Sequence, residues 1–156
     1  MTTKIIDFKT PVNEGLISDF EQKIGSSLPN EYRLFLEKYN GGYPEPSSFQ
    51  FFDSDNIEDG SSVDRFLSLG CEKYHDLNQY FINYKDRIPP NFLPIAHDPG
   101  GNLILISLNH DKPAIFFWDH EFEADEDEGE LPNMSNVHFI SHSFPDFLKR
   151  LCKTEI

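Results

Sequence analysis

The chain has 156 residues, a length that fits one domain with a sizeable hydrophobic core. Its formal net charge of −14 argues against direct nucleic-acid binding, because phosphates would be repelled, and favours a basic protein partner. The sequence has no apolar run of about 18 residues and no apolar stretch behind a charged start, so we expect neither a membrane span nor a signal peptide.

The chain contains two cysteines, Cys71 and Cys152, which are too few for a disulfide framework. We expect both side chains to be buried or partly buried, as small apolar groups usually are. A reduced compartment is the simplest setting for such a chain, so we expect a cytoplasmic protein.

The N-terminal part of the chain predicts a helix after an irregular lead-in over residues 1–12. Asn13 can cap this helix and Gly25 can end it. Val12 and Ile17 are placed for a hydrophobic staple. The predicted buried face consists of four apolar residues, Leu16, Ile17, Phe20 and Ile24.

A second helix is marked at both ends over residues 29–39. Pro29 suits the first turn, because its missing N–H costs nothing there. Gly41 and Gly42 can end the helix after Asn40, because glycine enters the left-handed region without a Cβ clash. One apolar stripe follows the helical period and consists of Tyr32, Phe35, Leu36 and Tyr39.

The middle of the chain combines strands, polar turns and a third helix. Residues 43–48 are rich in proline and predict a loop, and residues 49–51 alternate as a strand does. Residues 53–62 predict a polar turn region, and residues 63–69 predict another strand. Helical spacing then returns, before a Pro-Pro stop, at Leu77, Tyr80, Phe81, Tyr84 and Ile88.

The C-terminal half predicts strands joined by tight turns and a last helix. Residues 93–97 and 114–118 predict two strands. Between them, residues 103–106 are four consecutive aliphatic residues, which indicates a central strand buried on both faces. Residues 137–140 predict the last strand, and Ser143 can cap the helix that follows.

This order of elements predicts an α+β fold in a single domain over residues 1–156. Tight turns imply antiparallel pairing. We therefore expect a mainly antiparallel sheet packed against the N-terminal helices, a middle helix and a C-terminal helix.

One segment differs from the rest in composition. Residues 119–130 contain eight acids without Lys or Arg, which leaves −6 for the other 144 residues. Because unpaired charges are not buried, we expect a solvated, mobile loop, and loose binding of a divalent cation by residues 125–128 is the alternative. The acids are Asp119, Glu121, Glu123, Asp125, Glu126, Asp127, Glu128 and Glu130.

Several short motifs occur in order along the chain. Ile-Gly at residues 24–25 precedes Leu-Pro-x-x-Tyr-x-x-Phe-Leu at residues 28–36 and Asn-Gly-Gly at residues 40–42. Leu-Pro-Ile-Ala-His-Asp-Pro-Gly-Gly-Asn follows at residues 93–102, and Ser-Phe-Pro-Asp-Phe-Leu at residues 143–148. In order and spacing this series resembles the SUKH superfamily, which contains fungal Smi/Knr-type cell-wall regulators and many bacterial toxin-immunity proteins. The resemblance implies an α+β domain that acts by binding a protein.

Signals for a metal site are weak. The Asp53-x-Asp55 pair resembles the start of a calcium loop, but Ile57 occupies the next ligand position. His138 and His142 would share a zinc ion only on a helix, and here they flank a strand and a helix cap. We expect neither a metal nor a cofactor.

Three neighbouring His and Asp pairs, at residues 97–98, 110–111 and 119–120, raise the question of catalysis. Adjacent residues of a strand point to opposite faces, and turns contain polar residues for backbone reasons, so adjacency does not predict a catalytic dyad. The sequence has no GxSxG, P-loop or GxGxxG motif. We therefore expect a protein that is not an enzyme.

The candidate partner-binding residues combine exposed aromatic groups and charge. They are Tyr43, Trp118, Asp125, Glu126, Asp127 and Glu128. For Trp118, core packing with a hydrogen-bonded indole N–H is the main interpretation, and an interface role is the alternative. Resemblance and charge together predict an immunity protein that neutralises a cognate, basic toxin domain by occlusion, and a nuclease is the toxin in many SUKH pairs. A regulatory protein-interaction domain, as in the cell-wall regulators, is the alternative.

Overall fold

The computed structural model describes residues 3–9 and 12–153. They form helices and antiparallel sheets, which confirms the predicted α+β class. The α-helices are α1 (Glu14–Ile24), α2 (Asn30–Tyr39), α3 (Leu77–Tyr84) and α4 (Phe144–Arg150). The strands are β1 (Lys4–Ile6), β2 (Tyr43–Glu45), β3 (Ser48–Phe52), β4 (Glu58–Ser62), β5 (Arg65–Phe66), β6 (Phe92–His97), β7 (Leu103–Ser107), β8 (Ile115–Trp118) and β9 (Val137–Ser141).

The largest sheet has five antiparallel strands in the order β5-β6-β7-β8-β9. The prediction of a central, doubly buried strand is confirmed for β7. Ile104 and Ile106 belong to the main core, which also contains side chains of α1, α2 and α4. Leu103 and Leu105 belong to a smaller core around Trp118, beside α3. Both faces of β7 are covered, and for this reason its sequence is apolar throughout.

The β3–β4 hairpin packs against the five-stranded sheet. Phe49 and Phe51 point inward, as the alternation predicted, and their ring centroids lie 5.9 and 4.4 Å from that of Phe117. The hairpin therefore covers part of the sheet near β8 and β9.

Two predicted helix caps are confirmed. The Asn13 side chain accepts a hydrogen bond from the backbone N–H of Leu16 at 2.9 Å. The Ser143 hydroxyl accepts one from Asp146 at 3.2 Å. The buried face of α1 is confirmed for Ile17 and Phe20, but Leu16 is 44% exposed, so its predicted burial is wrong. Leu16 lies at the rim of a cleft beside the loop after β5, where no element covers it fully.

The end of α2 differs in one respect from the prediction. Asn40 itself takes the left-handed cap conformation, with φ of 44°, and two glycines with positive φ follow it. Asparagine tolerates this conformation, and its buried amide bonds to the backbone N–H and C=O of Leu69 at 2.7 and 3.1 Å. A Cβ on Gly42 would lie 2.6 Å from the carbonyl oxygen of Ile6, so the second glycine lets β1 approach.

Three polar or irregular segments of the prediction contain strands. Residues 4–6, placed in the lead-in, pair with residues 43–45, which were predicted as a loop. Residues 58–62, placed in a polar turn region, pair with β3. Backbone pairing requires no apolar side chain, so these short strands leave little periodicity to detect. Met1, Thr2, Thr10 and Pro11 lie outside the described residues.

Two further predictions are wrong. Within residues 63–69 only Arg65 and Phe66 form a strand, because the chain then turns toward α3. Cys71 and Cys152 are both exposed free thiols, not buried ones. Cys71 lies in the connection between β5 and α3, and Cys152 lies just after α4, both at the surface.

Candidate partner-binding surface

The chain leaves the sheet at the end of β8, passes through the acidic residues 119–130 and returns to the sheet at β9. Two short 3₁₀ turns, His120–Phe122 and Met134–Asn136, flank this excursion. They are joined at the base, because Asp119 N–H donates to the Asn136 carbonyl at 3.0 Å and the Asn136 side chain donates to the Asp119 carbonyl at 2.9 Å. The acidic segment is therefore tied at both ends to the sheet edge.

The turn between β6 and β7 braces the same segment from the side. The Asp98 carboxylate, which is 5% exposed, accepts hydrogen bonds from the backbone N–H groups of Gly100 and Asn102 at 2.9 and 2.7 Å. It also accepts one from the hydroxyl of Ser61 on β4 at 2.7 Å. Asn102 Oδ1 in turn accepts from the backbone N–H of His120 at 3.0 Å. The motif at residues 98–102 thus connects the hairpin to the acidic segment.

A third tie comes from the end of α3. The Arg87 guanidinium donates to both carboxylate oxygens of Glu123, at 2.6 and 3.1 Å. Its centre lies 4.5 Å from the ring of Tyr84 and 5.8 Å from that of Trp118. The hydrogen bonds to Glu123 raise the pKa of Arg87 above its ordinary value. A bidentate ion pair whose guanidinium also lies over two aromatic rings fixes Glu123 more firmly than a simple surface ion pair does.

The four predicted acids at residues 125–128 project from this tied segment. Glu126–Glu128 form a 3₁₀ turn, and the Asp125 carboxylate accepts from the backbone N–H of Asp127 at 3.0 Å. Gly129, with φ of 78°, ends the turn. All four acidic side chains are exposed. They are available to a partner in a defined backbone conformation.

A cleft of about 380 Å³ separates the end of α3 from the acidic segment. Five carboxylate side chains line it, and Arg87 is the basic residue among its lining. The lining acids are Asp86, Glu123, Asp125, Glu126 and Glu130. Lined in this way, the cleft is complementary to a positively charged group.

Sequence reasoning missed three exposed apolar side chains in this region. Phe122, Leu131 and Met134 are 69, 79 and 49% exposed. Their signal in the sequence is composition, since a solvated acidic loop does not need large apolar residues. The surface formed by residues 119–136 is called the acidic platform here.

The other two predicted contact residues lie elsewhere. Trp118 is fully buried beneath the platform, so it offers no surface for a partner, and its prediction as a contact residue is wrong. Core packing is confirmed for it, but its indole N–H has no hydrogen-bond partner among the described residues. Tyr43 is half-buried on β2 and lies 5.8 Å from the Arg65 guanidinium. Because β6 and β7 separate β5 from β8, the structure does not bring Tyr43 to the platform.

The neighbouring His and Asp pairs do not form dyads with each other. Asp98 bonds to its own turn, whereas His97 Nε2 lies 3.0 Å from Nδ1 of His75. Asp119 caps the turn that follows it. His110 lies 3.4 Å from the Ser27 hydroxyl. His120 Nε2 lies 2.9 Å from the Gly100 carbonyl oxygen, so each of the three histidines contacts a group other than the neighbouring carboxylate.

A metal site finds no geometric support in the part of the chain that the structure describes. No group of three or more His, Cys, Asp and Glu side chains there is arranged to hold a metal ion. The Asp53 carboxylate instead accepts from the backbone N–H groups of Asp55 and Ile57. None of the helices over residues 3–9 and 12–153 has the length and apolar character needed to cross a bilayer.

The protein is thus an α+β domain that exposes the acidic platform. Comparison with known proteins identifies the family of this domain. A model of the SMI1/KNR4 family (SUKH-1) matches residues 11–150, so the chain belongs to that family. Domains of this family are in general non-enzymatic immunity or regulatory domains that act through a protein partner.

Two relatives from Bacillus subtilis strain 168 are similar to this chain. The SPbeta prophage-derived uncharacterized protein YokK is 29% identical over 150 residues, which cover 85% of this chain and 70% of YokK. The uncharacterized protein YnaB is 50% identical over 34 residues, which cover 22% of this chain and 24% of YnaB. The first of these similarities extends over most of the domain, and the second is confined to a short stretch.

Proposed function

We propose that this protein is an immunity protein that binds a basic toxin domain and neutralises it by occlusion. The observation that carries the proposal is the acidic platform, a concentrated set of carboxylates held in place by the base of the loop, the Asp98 turn and Arg87. Family membership supports a protein partner. A nuclease domain would be a fitting toxin, because its substrate groove is basic and the platform can take the place of phosphate.

The mechanism follows from charge. Clustered exposed carboxylates attract a basic surface over several ångströms and accelerate its approach. Once docked, the folded domain blocks access to the groove without making or breaking a bond. The name of one relative records a prophage origin, and a mobile element is a natural setting for a toxin and immunity gene pair.

The family description favours a second candidate. A regulatory domain of the SMI1/KNR4 type would bind a protein of its own cell through the same surface. The neighbouring genes discriminate the two functions, because an immunity gene lies beside the gene for its toxin.

The proposal predicts a toxin domain encoded beside this gene, and the test is protection and binding with that domain. Co-expression should restore growth that the toxin domain alone abolishes. The variant D125N/E126Q/D127N/E128Q should associate with the toxin about tenfold or more slowly at low salt, with a smaller change in dissociation. The salt dependence of association should also shrink.

A matched variant keeps the net charge equal. D19N/E31Q/E58Q/D111N removes the same number of exposed carboxylates from other surfaces and should keep most of the association rate. Stopped-flow binding at two salt concentrations measures both variants. Equal association rates for the wild type and the platform variant would contradict the proposal that the platform steers the toxin.

A further inference from the structure

The acidic platform is amphipathic. The described residues expose eleven large hydrophobic side chains, and three of them fall within residues 122–134. Scattered single apolar residues are ordinary on a protein surface, but contiguous exposed ones mark an interaction site. The 3₁₀ turns that contain Phe122 and Met134 lie against each other. Acids alone would suffice to keep the segment soluble, so the three apolar groups need another explanation.

The backbone around these side chains is well defined. Phe122 N–H donates to the Asp119 carbonyl at 3.2 Å, which closes the first 3₁₀ turn. The Asn133 side chain caps the turn that begins at Met134 and donates to the Leu131 carbonyl at 3.2 Å. A backbone held in this way loses less conformational freedom on binding, which favours a docking surface.

We infer that Phe122, Leu131 and Met134 are the apolar anchors of a docking surface for a basic protein with apolar sockets between its positive charges. This inference rests on the proposed function and deepens it. Carboxylates around the anchors determine how fast the partner arrives, and the anchors determine how long it stays. Charge complementarity selects this occupant, because a second copy of the chain would bring two acidic platforms together.

The experiment uses two synthetic lysine-rich peptides of equal length and charge. One peptide carries Phe and Leu between its lysines, and the other carries Ser at the same positions. Wild-type protein should bind the Phe/Leu peptide about tenfold more tightly, as measured by calorimetry, because burial of one or two apolar side chains supplies such a factor. The variant F122S/L131S/M134S should bind both peptides alike and bind the Ser peptide as the wild type does.

A second variant controls for general loss of apolar surface. L34S/Y74S/I82S replaces three side chains that are 55, 76 and 50% exposed outside the platform, and it should keep the preference. Equal affinity of the wild type for both peptides, or an equal loss in the two triple variants, would overturn the inference. Toxin protection that survives F122S/L131S/M134S with an unchanged dissociation rate would also overturn it, while leaving the immunity function intact. A peptide preference without toxin protection would refute the proposed function and retain the surface.

Discussion

His75 and His97 form a stacked pair of histidines in which the charge of one ring affects the other. Their rings stack with centroids 5.1 Å apart, and their nitrogens are 3.0 Å apart. A hydrogen bond between these two nitrogens needs one proton, and a proton on both nitrogens would bring two donors and two positive charges together. Burial, followed by the neighbouring His97, lowers the pKa of His75 below its ordinary value of 6.5. Glu72 and Asp64 oppose this shift and Arg65 adds to it.

The lowered pKa predicts a loss of stability in acid. Well above pH 6.5 the ring of His75 is neutral in both the folded and the unfolded chain, so it contributes no pH dependence there. Below that pH the unfolded chain binds the proton more readily, and stability falls until the folded state also protonates. Urea unfolding at pH about 7.5 and about 5.5 should show a smaller loss for His75→Gln than for the wild type. His110→Gln, at an exposed position, is the control, and identical losses in the wild type and His75→Gln would refute the assignment.

Strand β7 links the two hydrophobic cores of the domain. It lies in the centre of the five-stranded sheet and contributes side chains to both cores. Its character was predictable, because four consecutive aliphatics after a Gly-Gly turn leave no polar face. The segments that became β2 and β4 were not predictable as strands. Their side chains are mostly polar or prolyl, and β2 in addition pairs with β1, which lies far away in the chain.

Truncation in β7 tests its burial. Ile104→Ala removes a side chain that is 0% exposed, so we expect a loss of about 2–5 kcal/mol in the free energy of unfolding. Ile82→Ala, at a position that is 50% exposed on α3, should cost much less. Urea denaturation of both variants measures the difference. A loss below about 0.5 kcal/mol for Ile104→Ala would contradict a doubly covered central strand.

Charge is distributed unevenly over the whole molecule. The platform combines most of the net charge with three structural ties, and only the charge was visible in the sequence. Asp125, Glu126, Asp127 and Glu128 are exposed together, and their role as contact residues stays a prediction. Trp118 and Tyr43 were placed by residue type alone. Burial removes Trp118 from the surface, and Tyr43 is half-buried on β2, away from the platform.

Concentrated charge of one sign also has a cost in stability. Neutralising Asp125, Glu126, Asp127 and Glu128 changes the formal net charge from −14 to −10, and the melting temperature should stay the same or rise slightly. Added salt should stabilise the wild type more than this variant, because screening replaces the removed repulsion. Thermal unfolding followed by circular dichroism at low and high salt measures both effects. A clear drop in melting temperature would mean that these carboxylates make stabilising contacts.

Local physical chemistry decided the helices, the caps at Asn13 and Ser143, the central strand and the position of the acidic segment. These features depend on residues within a few positions of one another, so periodicity, turn residues and composition reveal them. Tertiary structure decided the pairing of β1 with β2, the burial of Trp118 and the bracing of the platform by Asp98, Asn102 and Arg87. Those interactions join residues far apart in the chain, and only the folded backbone brings their donors and acceptors within hydrogen-bonding distance.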